Sequence, residues 1–204
     1  MPKFMPKTKR ELQELISDES VYLGDIDTSN ITDMSRLFFE DENEVEIHRL
    51  DFSGISSWDV SKVTDMSHMF EHCYVFNENI SGWDVSSVKN MERMFDECNF
   101  FAQDISSWDV SGCENMSGMF HSCYYFNQPL YNWDVSSVEF MSFMFDTALS
   151  FNADISGWNV GRFTSVRSMF CCAKSFKQDI SGWKLVDERK KELHKGRNRY
   201  KAYG

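Results

Sequence analysis

The chain has 204 residues and a net charge of −11, with 42% hydrophobic and 26% charged residues. That length suits one domain or one short repeat array, and no apolar run is long enough to span a membrane. Charge is unevenly placed: residues 1–10 hold four basic and no acidic residues, 184–204 hold eight basic and three acidic, and 11–183 hold nine basic against 29 acidic, a body of −20 that repels phosphate backbones and argues against a nucleic-acid partner.

In chain order, the N-terminal stretch MPKFMPKTKRELQELI carries no apolar core of a secretory signal, so the chain as written is expected in the cytoplasm. Thr8 and Glu11 form a capping box that predicts a helix with Leu12, Leu15 and Ile16 on one face. Residues 26–38, IDTSNITDMSRLF, are a degenerate first repeat with Ile26 in place of a tryptophan. Seven extra residues then precede Trp58, in the acidic stretch FEDENEVEI, and predict a loop. From there Trp58, Trp83, Trp108, Trp133, Trp158 and Trp183 stand 25 residues apart, and a fixed period in this range marks a stacked repeat array.

With the tryptophan as position 1, Val or Leu stands at position 3, Met or Val at 9, Met at 12, and Phe at both 13 and 19. Apolar positions 1 and 3 around polar position 2 predict a short strand. Positions 9, 12, 13 and 16 follow i, i+3, i+4, i+7 spacing and predict a short helix, with Asp65, Asn90 and Asn115 at position 8 as its caps. The expected fold is therefore an α/β repeat solenoid: a right-handed stack of about six 25-residue coils with short strands and short helical segments. The expected organisation is a capping helix over 1–19, the solenoid over 20–185, and a basic tail over 186–204 that is helical through about Asp187–His194.

Segments such as FAQDISSWDVSGCENMSGMFHSC resemble the 25-residue repeat of BspA-like leucine-rich-repeat surface proteins, which is also found in mycoplasma surface lipoproteins. The resemblance covers residues 20–185, and the lead-in KTKRELQELISDESVYLGDIDTSNITDMSRLF resembles the N-terminal cap of such proteins. It implies a leucine-rich-repeat-like coil, no cofactor, no catalytic residue, and a role in adhesion or protein binding. It also implies a cell-surface location as the alternative to the cytoplasm.

Chemistry is sparse in the remaining motifs. Cys73, Cys98 and Cys123 share position 16 with Ala148 and Ala173, so that site wants a small buried group, and Cys113 replaces valine in a core column. Cys171 and Cys172 align with Glu71-His72 and Asp96-Glu97 and are expected on the surface, with no ligand spacing that suggests zinc. His68, His72 and His121 are expected on a solvated face. Asp27, Asp59, Asp84, Asp109 and Asp134 form a column at position 2; either each carboxylate closes its own turn, or the ridge takes a basic protein partner, or it takes calcium. Tyr124, Tyr125, Tyr131, Phe140 and Phe143 form an apolar departure from the repeat, read either as a binding ridge or as local packing under the return loop. The functional expectation is a non-catalytic protein-binding module, monomeric or weakly self-associating, that uses the Asp-lined sheet face or the aromatic ridge. The alternative is a structural or adhesive surface element attached through the basic tail. Metal and cofactor sites are not expected.

Overall fold

The computed structural model describes residues 2–39 and 49–193. The predicted acidic loop, apart from Phe39, and the tail from His194 onward lie outside the described residues.

Helix α1, Lys9–Ser17, begins where the capping box places it: the Glu11 amide donates to Thr8 Oγ1 at 3.2 Å, and Glu11 Oε2 accepts from the Lys7 amide. Leu12 and Ile16 are fully buried, so α1 covers the apolar end of the repeats. Arg49 locks the far end of α1 in place, donating to the carbonyls of Ile16, Asp18, Val21 and Asp51. Helix α2, Asp187–Glu192, lies against the last repeat, where the Ser168 amide donates to the Glu192 carbonyl and Leu193 joins the core.

Between these ends the repeats stack in register. Single-residue parallel bridges run Asp33, Asp65, Asn90, Asn115, Phe140, Ser165, all at position 8. The bridge column between rungs thus falls at position 8 and not at positions 1–3, where alternation predicted a strand; Trp58–Val60 and the other tryptophan segments run between turns without strand pairing, whereas Ile26 of the lead-in rung bridges Phe4. The expected helix over positions 9–16 does not form either. The backbone makes tandem turns, because position 11 and position 15 take positive φ in rung after rung: Arg36, His68, Arg93, Phe143 and Ser168 at the first, His72, Glu97, Ser122, Thr147 and Cys172 at the second, with Gly118 completing the former.

The hydrogen-bond accounting shows why this conformation holds. Amides of Met91, Arg93, Phe95 and Glu97 donate to carbonyls of Asn115, Ser117, Met119 and His121 on the following rung. The alternate amides stay within the rung, Met94 to the Met91 carbonyl, Asp96 to Arg93 and Cys98 to Phe95. The remaining amide, at position 10, donates to the position 8 side chain: Ser67 to Asp65, Glu92 to Asn90 and Ser117 to Asn115. The position 8 residues therefore cap, as expected, but they cap a turn. Every amide from position 9 to 16 is satisfied in this rung, as a buried backbone requires, and the left-handed residues are held by the inter-rung bonds they make.

The core is a set of columns. Phe70, Phe95, Phe120, Phe145 and Phe170 stack rung on rung at 5.6–5.9 Å between ring centroids. Each also stacks within its rung on the position 19 phenylalanine at 3.8–4.1 Å. The tryptophans are buried, and each indole N–H donates to a carbonyl in the preceding rung, for example Trp108 to Ile80 at 3.1 Å. A polar ring atom buried this way has to find a partner. Gly54, at φ +89°, lies so close to Gly24 and Tyr22 that a Cβ would stand 2.4 Å from the Gly24 nitrogen, which fixes how the lead-in rung meets the first tryptophan rung.

Candidate functional site

The position 2 carboxylates are turn-closing groups. Asp27, Asp59, Asp84, Asp109 and Asp134 each accept through Oδ1 from the amide of the serine two residues on, at 3.0–3.1 Å. The serine hydroxyl and amide together hold Asp27, Asp59, Asp109 and Asp134 below the ordinary carboxylate value. Asp59, Asp84, Asp109 and Asp134 are exposed and Asp27 is half-buried, and the column lies off the position 8 bridges, so it is not the face of a sheet.

The aromatic residues are exposed and do not form one ridge. Tyr125 stacks on Phe100 at 5.5 Å, with Tyr74 and Tyr124 beside them in the same two columns, and Tyr131 stands exposed in a separate column. Phe140 and Phe163 line an open groove with Arg189, and the Arg167 guanidinium lies over the Phe143 ring at 6.0 Å. Among the described residues no ring contact joins the tyrosines to Phe140 or Phe143. Phe140 is 49% exposed, Phe143 37% and Phe163 72%, so local packing does not account for them. Phe163 is the member of this surface that sequence reading missed; it replaces a core valine at position 6 and turns outward beneath Arg162, 5.7 Å away.

Position 14 holds a polar column that the sequence presented as solvent-facing. Glu71 and Asp96 are buried, at 6% and 2% exposure. His68 Nδ1 pairs with Glu71, Arg93 bridges Glu71 at 3.3 Å and Asp96 at 2.9 Å, and His121 Nδ1 pairs with Asp96. Burial opposes the charge of Glu71, but the His68 hydrogen bond and the His68 and Arg93 charges outweigh it and set its pKa low. Burial likewise opposes a charged His121, and the Asp96 hydrogen bond with the Asp96 and Asp146 charges outweighs it and sets that pKa high. His68 and His121 are therefore ion-pair partners of buried carboxylates, which corrects the solvated-face expectation. The available signal was the exchange of acid for base across copies at position 14, with bases, His68 and Arg93, at position 11 of the rungs of Glu71 and Asp96.

All six cysteines are free thiols. Cys98 and Cys123 donate to the Phe70 and Phe95 carbonyls at 3.0 Å, fully buried, and burial pushes both thiols well up; Cys113 is pushed up to about 11 by burial. Cys171 was expected on the surface but is buried, because it occupies position 14 beneath the turn. Its Sγ lies 3.6 Å from Cys172 Sγ, and burial, with the adjacent Asp146 charge, pushes it up to about 12.

The chain matches the family described as "Mycoplasma protein of unknown function, DUF285" over residues 10–123 and again over 101–196, and it belongs to that family. No curated protein matches it. No solved structure matches it.

Proposed function

We propose that the chain is a non-catalytic protein-binding module built on a right-handed, leucine-rich-repeat-like solenoid of the BspA-like type, and that it binds through the surface of Phe140, Phe143 and Phe163. One observation carries the reading. In the fourth rung Phe140 replaces the Asp or Asn that caps the turn in the four rungs before it, so it has no oxygen to offer the Ser142 amide. Phe143 beside it holds φ +61° at the position where other rungs place Arg36, His68, Arg93, Gly118 or Ser168. Folding alone gives no reason to exchange a cap for an exposed aromatic, whereas exposed aromatic anchors are what binding faces use.

Arg162, Arg167 and Arg189 border these rings inside an otherwise acidic body. The partner surface would carry apolar anchors, acidic groups opposite the arginines and basic groups opposite the Asp column. The test is affinity capture from the native source with the wild-type chain and with Phe140→Ser/Phe143→Ser. A partner that survives about 0.5 M salt, where surface charge is strongly screened, and is lost with the double variant supports the aromatic face. A partner lost in salt and kept by the variant moves the site to Asp59, Asp84, Asp109 and Asp134. A second reading, an adhesive element at the cell surface, rests on the resemblance of the 25-residue repeat to BspA-like surface proteins. No helix among the described residues is long and apolar enough to cross a membrane. Fractionation distinguishes this reading, since a wholly cytosolic pool removes it.

A further inference from the structure

Charge compensation along position 14 stops at the fourth rung. Glu71 has His68 and Arg93, and Asp96 has Arg93 and His121. Asp146 comes next in the column, and among the described residues its carboxylate has no arginine or lysine ion pair; its one basic neighbour is His121, whose Nε2 stands 4.0 Å from Asp146 Oδ2. The following rung supplies two thiols in place of a base. Asp146, Cys171 and Cys172 each bring a ligand atom to within 4.8 Å of the others.

We propose that Asp146, Cys171 and Cys172 form a binding site for a zinc-class divalent cation, with the fourth coordination position left to water. Two thiolates sharing a tetrahedral ion at about 2.3 Å lie about 3.8 Å apart, close to the 3.6 Å separation of Cys171 and Cys172 Sγ. Adjacent residues seldom aim both side chains at one point; here Cys172 sits at φ +58°, and the turn brings the pair together. Two sulfurs with one carboxylate select a borderline-soft tetrahedral ion over calcium or magnesium. Binding replaces the two thiol protons, so the ion enters as two protons leave, and it brings the positive charge that the column lacks at this rung.

The experiment is titration of the reduced full chain with cobalt(II), followed by displacement with zinc and measurement of proton release. The expected result is one ion per chain, with a near-ultraviolet thiolate charge-transfer band and the visible bands of a tetrahedral site. Cys172→Ser places at this turn the residue that Ser122 already provides at φ +57°, so the fold is retained while affinity falls at least tenfold. Cys98→Ala and Cys123→Ala leave the spectrum unchanged. A wild-type chain that takes up no cobalt with all six thiols reduced overturns the proposal. So does a charge-transfer band that survives Cys171→Ser/Cys172→Ser.

Discussion

Phe120 is the residue whose loss tests the packing most severely. It is fully buried in the third rung, stacked on Phe126 at 4.1 Å, on Phe95 at 5.8 Å below and on Phe145 at 5.6 Å above, with Trp133 at 6.3 Å. Phe176 at the end of the stack is 8% exposed and has only Phe170 at 3.9 Å and Phe151 at 5.9 Å as ring neighbours. A buried phenylalanine truncated to alanine costs about 3–5 kcal/mol, the higher value where the cavity cannot collapse. Each lost aromatic pair adds about 0.5–1.5 kcal/mol beyond buried area. Phe120→Ala removes contacts to two rungs at once, so it falls near 5 kcal/mol; Phe176→Ala removes one rung face at a partly open end, so it falls near 3 kcal/mol. Urea unfolding followed by tryptophan fluorescence measures both, with linear extrapolation and a check that the slope is unchanged. Equal losses at the two sites, or a loss below about 2 kcal/mol for Phe120→Ala, would refute the ladder as the main source of coupling between rungs.

Three further expectations follow from the columns. Cys123→Ala reproduces Ala148 and Ala173 at the same position and should lower stability by about 1 kcal/mol, whereas Met119→Ala, fully buried with no alanine precedent, should lower it by about 2–5 kcal/mol; thermal melts compare them. Phe140→Asn restores the turn cap and should hold stability or raise it by up to about 1 kcal/mol while abolishing partner capture, a pattern that a purely structural Phe140 would not give. The low pKa values of Asp27, Asp59, Asp109 and Asp134 mean that their contribution to stability is complete above the ordinary value of 3.8 and is lost as pH falls through the lower folded values. The melting temperature should therefore drop on acidification below about pH 4, and Ser61→Ala should make the drop smaller by weakening the hold on Asp59.

The buried columns were legible in the sequence because repetition averages out local noise: Trp83, Met94, Phe95 and Phe101 recur in every full copy or nearly so, and all are buried. The closed Asp-Ser turns were legible as one of the readings the residue types allow. The turn at positions 9–16 was not. Tandem turns with bends at positions 11 and 15 bury the same i, i+3, i+4, i+7 set that a helix buries. Arg36, His68, Arg93 and Phe143 do not announce a left-handed backbone, and only Gly118 did. The position 14 column was hidden for a different reason. Glu71, Asp96 and His121 look like surface residues singly, and their burial makes sense only when rungs are superimposed and each charge meets its partner. The same superposition brings Cys171 under the turn and separates Tyr125 from Phe140. Those relations depend on lateral position in a rung, which period and composition do not specify.

The central claim is that rungs pair backbone to backbone through the turn segment in place of folding it into a helix. Through-hydrogen-bond scalar couplings in the deuterated, isotope-labelled chain read this directly. The pairing predicts couplings from the amides of Met116, Gly118, Phe120 and Ser122 to the carbonyls of Phe140, Ser142, Met144 and Asp146. Couplings from Phe120 and Ser122 to carbonyls four residues back in their own rung, as in an α-helix, would contradict it.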